Sequence, residues 1–135
     1  MTERETYLLA MYLYEADAGS PVPPGVIADL LDKSPPAVTQ TIQRLESAGL
    51  VTSEPYEGAT LTCEGTAIAE TEYETYLVLV RFFDEVLALE SPEYEALSVV
   101  GSVSKGVADR LAETLLDSPS KDSGAPNLSA LISPY

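Results

Sequence analysis

Residues 34–44, SPPAVTQTIQR, carry the side chains best suited to reading another molecule. At helical spacing Ser34, Pro36, Ala37, Thr39, Gln40, Gln43 and Arg44 line one side, while Val38, Ile42 and Leu45 line the other. A glutamine amide can pair with an adenine edge, Ser and Thr hydroxyls can donate or accept, and an alanine methyl can meet the methyl of thymine. Arg44 is the cation of this segment and suits a phosphate. The plainer alternative is a polar helix side facing water. The elements around the segment decide between the two.

Residues 5–15 place Leu8, Met11 and Tyr12 at 3–4 spacing and predict an amphipathic first helix. Gly and three prolines in ADAGSPVPP break it. From Gly25 to Asp32 a short helix puts Ile27, Leu30 and Leu31 on one face, and Lys33-Ser34 makes a turn. Ser34 suits the N-cap of a third helix and Pro35 its first turn, with Gly49 as its stop. Extended runs Leu50–Ser53 and Ala59–Cys63 flank Pro-Tyr-Glu-Gly and predict a β-hairpin. Three helices and a hairpin are the layout of a winged helix-turn-helix, whose second paired helix enters the major groove of double-stranded DNA. Tyr56 and Gly58, at the hairpin tip, join the expected DNA-contacting set.

Beyond the hairpin a helix is expected over about 64–89, its stripe supplied by Ile68, Thr75, Leu79, Phe82, Phe83 and Val86. Ser91 and Pro92 predict the start of a fifth helix over about 92–102. Ser104 can cap a sixth over about 105–116, with Val107, Leu111 and Leu115 in register. The Ser- and Pro-rich end reads as irregular, with Leu128, Leu131 and Ile132 able to dock. The expected class is mainly α, in two parts: residues 1–63 as the winged helix-turn-helix and 64–135 as a helical domain.

The run from YLLAMYLYEADAGSPVPP through SPPAVTQTIQRLESAGLV to YEGATLTCEG resembles the metal-dependent repressors of the diphtheria toxin repressor and manganese transport regulator type. The likeness covers roughly residues 5–118. KDSGAPNLSAL resembles a degraded form of that family's HGNPIP tail. The resemblance implies a transcription regulator that dimerises through its helical half and binds palindromic operators. It places base-contacting positions on Ser34, Pro36 and Gln40. The family's phosphate-contacting arginines do not carry over, since Pro24 and Val26 align there and Glu57 replaces the arginine of the wing.

The resemblance also implies metal sensing, and here the chain departs from it. Histidine is absent, so imidazole cannot ligate Mn(II) or Fe(II). The positions matching the family's ligands hold Thr6, Leu9, Tyr76, Val80, Leu97, Val100 and Gly101. Glu93 is the remaining candidate ligand, and Glu72, Glu74 and Glu95 could join it in a hard, oxygen-only site. Scattered glutamates in an acidic chain are more often solvated. No cofactor is expected, with Mn(II) or Fe(II) as the alternative. Cys63 is a candidate redox sensor, although lone cysteines more often serve as small packing groups.

Charge sets the chemical problem. The chain has 22 acidic against seven basic residues, a formal net charge of −15. The acids are dispersed and lysine is scarce, which resembles proteins of salt-loving archaea. At molar salt the Debye length is about 3 Å, so the self-repulsion is screened. No apolar run reaches the ~18 residues needed to span a bilayer, no basic and apolar leader opens the chain, and one cysteine excludes an internal disulfide. The expected setting is cytoplasmic, in the nucleoid, with no membrane partner. An enzyme is disfavoured by the missing histidine and phosphate loop and by the lack of a nucleophile–base spacing. A winged-helix module docking other proteins is the competing class, but such a helix should expose apolar anchors where this one is polar.

Overall fold

The computed structural model describes residues 3–114. Six α-helices and one antiparallel hairpin follow in the order α1 (Glu3–Ala18), α2 (Pro24–Leu31), α3 (Pro35–Ser47), β1 (Val51–Glu54), β2 (Gly58–Leu61), α4 (Cys63–Arg81), α5 (Pro92–Val99) and α6 (Lys105–Thr114). The mainly helical class and the winged helix-turn-helix are both present.

Two apolar clusters share α1. Its Tyr7, Leu8 and Met11 pack with Ile27, Val38, Ile42, Leu45, Leu50, Val51 and Leu61 under the hairpin. Its Leu9, Ala10 and Leu13 pack with Tyr76, Leu79, Ala96, Leu97 and Val100. A helix apolar on two sides must be buried on both, and α1 is the strut between the halves. Tyr12, Tyr73 and Tyr76 extend the contact as a ladder of rings 5.4 and 6.0 Å apart.

Local chemistry fixes the ends of α3. The Ser34 hydroxyl accepts from the Ala37 N–H at 3.3 Å, and Pro35 occupies the first turn. At the other end Leu50 N–H bonds to Leu45 and Gly49 N–H to Glu46, each at 3.0 Å. This paired closure needs a left-handed residue, and Gly49 supplies it with φ 79°.

The structure corrects several boundaries. The hairpin pairs Val51 with Leu61 and Glu54 with Gly58, one residue off the expected first strand. Cys63 begins α4 rather than ending β2, because the Thr62 side chain caps the helix by accepting from Gly65 N–H at 3.1 Å. The regular part of α4 stops at Arg81, and residues Phe82–Val86 form a π turn. The wider turn keeps Phe83 over the second cluster and rotates Val86 outward, where it is 48% exposed. Ser91 stands at the start of α5, but its side chain makes no capping bond there. On α6 Ala108 is the buried residue and Val107 is exposed, contrary to the expected stripe. Leu115, Leu128, Leu131 and Ile132 lie outside the described residues.

Candidate nucleic-acid interface

The turn from α2 to α3 spans Asp32, Lys33 and Ser34. Asp32 adopts φ 56°, and Lys33 N–H returns to the Ala28 carbonyl at 3.0 Å. With Val38, Thr41, Ile42 and Leu45 buried, α3 turns Ser34, Pro36, Thr39, Gln40, Gln43 and Arg44 to solvent, and Ala37 is half-buried beside its cap. Six of the expected contact residues therefore form one continuous polar face. It contains two amides and two hydroxyls and no large apolar side chain.

The wing is tied to the rest of the domain by backbone and by side chains. Val22 exchanges two hydrogen bonds with Ala59, a one-residue antiparallel bridge against the second strand of the hairpin. Gly58 is buried, with φ 135°, and a Cβ there would collide with the Val22 carbonyl. It shapes the wing and leaves Tyr56, fully exposed with φ 66°, at the tip. Two carboxylates brace the hairpin: Glu15 accepts from Leu61 N–H at 2.9 Å, and Glu46 accepts from Ser53 N–H at 3.3 Å. Between wing and α3 lies a cleft of about 280 Å³ whose rim includes Thr39, Gln43, Tyr56 and Glu57. The role of Val22 was missing from the sequence reading. A single valine among prolines carries no strand period, so only its partner could reveal it.

Cations are few on this face. Arg44 donates to Thr41 Oγ1 at 3.1 Å and faces Glu3 at 4.0 Å. Lys33 faces the same carboxylate at 3.9 Å.

Five of the seven positions that the resemblance assigned to metal ligands come together, but as packing. Leu9, Tyr76, Leu97 and Val100 are buried in one apolar cluster, and Val80 packs against it. Burial, then the nearby Glu93 and Tyr73, push the Tyr76 phenol well above its ordinary range, so it stays protonated. A neutral phenol among aliphatic chains does not fit Mn(II) or Fe(II), which are held by carboxylate, carbonyl, water or imidazole donors. The alternative carboxylates are dispersed: Glu74 pairs with Lys105 at 3.3 Å, while Glu72 feels Glu5. Among the described residues no group of three or more His, Cys, Asp or Glu is placed to hold an ion. Cys63 is exposed at the first residue of α4.

Comparison with known proteins agrees with this geometry. Residues 1–59 match the family model described as the iron-dependent repressor N-terminal DNA-binding domain. The chain is 31% identical over 109 residues to an uncharacterized HTH-type transcriptional regulator of Methanocaldococcus jannaschii, covering 79% of this chain and 87% of that one. It is 31% identical over 115 residues to the diphtheria toxin repressor of Corynebacterium efficiens, covering 84% of this chain and 50% of the repressor. The solved manganese regulator SloR superposes with a TM-score of 0.66 at 26% identity, over 86% of this chain and 54% of SloR. The chain thus spans about half the length of the diphtheria toxin repressor and SloR. The reading helix, the wing and these relatives together place the chain in the diphtheria toxin repressor-like family of DNA-binding transcriptional regulators.

Proposed function

We propose that this chain is a sequence-specific transcription regulator that binds palindromic operators as a homodimer and takes no metal control through the family's usual positions. The observation that carries the reading is the polar face of α3, held by a capped turn beside a braced wing. Ser34, Pro36, Ala37, Thr39, Gln40 and Gln43 supply base-edge and positioning contacts, Arg44 a phosphate contact, and Tyr56 the tip of the wing, with Gly58 shaping it. Residues 1–63 form the DNA-binding unit and 64–135 the dimerising unit. The apolar side chains left outside at and after the π turn, Val86, Leu87 and Leu89, and at the end of α5, Val99, support the second assignment. Its setting is the cytoplasm, on the nucleoid.

The charge of −15 shapes how such a regulator holds DNA. Lys and Arg contacts to phosphate give affinity that falls steeply with salt. This chain has three cations against nine acids up to Thr62, so it has little of that affinity to lose. At molar salt the repulsion is screened, and base contacts, groove fit and backbone N–H contacts remain.

The test is selection of fragmented genomic DNA in molar KCl, with chelator in one arm and Mn(II) or Fe(II) in the other. Equal recovery of one palindromic site in both arms is expected. Recovery only with metal would replace the proposal by a metal-dependent repressor using a rebuilt carboxylate site. No recovery in either arm would move the function to protein docking.

A further inference from the structure

Three cations precede the wing, and each faces a carboxylate in the first turn of α1. Arg4 meets Glu5 at 3.2 Å. Glu3 divides its two oxygens, Oε2 toward Lys33 at 3.9 Å and Oε1 toward Arg44 at 4.0 Å. Lys33 lies in the turn before the reading helix, and Arg44 lies at the far end of its polar face. One residue outside that face therefore faces both cations that flank it.

We infer that Glu3 is a specificity-determining positioning residue, which competes with the phosphates of non-operator DNA for Lys33 and Arg44 and so suppresses sequence-independent binding, while base contacts to an operator seat Arg44 on its phosphate. The inference rests on the DNA-binding reading above. Non-specific affinity comes from cations displacing counterions at phosphates, whereas base-edge hydrogen bonds carry the sequence preference. A carboxylate competing for the cations weakens the first and leaves the second. The ratio of specific to non-specific binding rises, and that ratio governs occupancy among many competing sites. Exposed pairs of this length are weak, so Glu3 biases the cations without locking them. Its place in the first turn of α1, exposed to water, makes substitution to glutamine compatible with the fold.

The test compares the full chain with Glu3→Gln and with Glu70→Gln. Glu70→Gln removes the same charge from an exposed position of α4, outside the DNA-facing set. Each protein is titrated against a random-sequence duplex across a tenfold range of KCl, and its melting curve is taken alongside. Glu3→Gln is expected to steepen the fall of log affinity with log KCl by about 0.9 for each cation released to a phosphate. Adding Arg44→Gln should remove part of that gain, whereas Arg44→Gln alone should change the wild-type slope little. Equal slopes for Glu3→Gln and Glu70→Gln overturn the inference, because bulk charge would then explain the effect. If the wild type holds neither the random duplex nor any selected site, the DNA-binding reading itself fails. If it holds a selected site while the Glu3→Gln slope is unchanged, only the role of Glu3 fails.

Discussion

Val22 and Ala59 exchange backbone hydrogen bonds of 2.7 and 3.0 Å, which joins the approach to α2 with the second strand of the wing. The wing is therefore positioned by the same segment that starts the helix-turn-helix. Gly58 makes the approach possible, since it combines φ 135° with no Cβ facing the Val22 carbonyl. Gly58→Ala should cost about 1–3 kcal/mol for the backbone strain alone, with the collision in addition. Thermal melting and operator affinity should both fall, and an unchanged melting temperature would contradict the geometry.

Ser34 and Gln40 separate stability from recognition on a single helix. Ser34→Ala removes the cap of α3 and should cost about 1 kcal/mol of stability. Gln40→Ala, on the exposed face, should stay within about 0.5 kcal/mol in stability. It should relax base discrimination at one operator position by about 1–3 kcal/mol. Melting curves and selection of binding sites check the split: Gln40→Ala should degenerate one position of the recovered motif at wild-type stability, whereas Ser34→Ala should lower the melting temperature.

Leu97 stands at a position that matches a family ligand, and it is 1% exposed within the second cluster. Leu97→Ala should cost about 2–5 kcal/mol, as expected of a filled core site. Ligands that bind only the folded state raise its melting temperature by mass action. Added Mn(II), or its removal by chelator, should therefore leave the wild-type melting curve unmoved. A metal-induced rise would relocate the regulator's control to a carboxylate site.

Glu72 carries a pH signature. Burial first, and then the charge of Glu5, raise its carboxyl above the ordinary range. Ionised Glu72 therefore opposes folding above its folded-state pKa, and the opposition disappears as pH falls below the ordinary carboxylate value. Glu72→Gln should melt higher than wild type at neutral pH, with the difference shrinking on acidification. Identical curves at neutral pH would refute the assignment.

The π turn after α4 leaves Val86 and Leu87 about half exposed. In the proposed dimer these side chains meet a second copy. Leu87→Lys should shift the protein toward monomer in sedimentation at molar KCl and weaken binding to a full palindrome. A dimer that survives the substitution would place the contact elsewhere.

Much of the reading unit was legible from the chain itself because its signals are local. Ser34 before two prolines, Gly49 after a helical stripe, and extended runs on either side of Pro-Tyr-Glu-Gly each state a short-range preference that the fold honours. The expected sixth-helix stripe failed at Val107 because a periodic pattern names an apolar side without saying which residue meets a neighbour. The α4 stripe failed at Val86 for a different reason. One wide turn shifts the phase of every residue after it, and nothing in the composition of Phe-Phe-Asp-Glu-Val announces that turn.

By itself the sequence determined the order of the elements, the polar face of α3 and the absence of imidazole from the chain, since these depend on residue identity and near-neighbour spacing. Tertiary structure alone decided that Val22 pairs with Ala59, that Leu9, Tyr76, Leu97 and Val100 close into one apolar cluster, and that Glu3 stands between Lys33 and Arg44. Each of these relationships joins residues far apart along the chain. Their meeting is set by how α1 packs against both halves, which no local preference encodes.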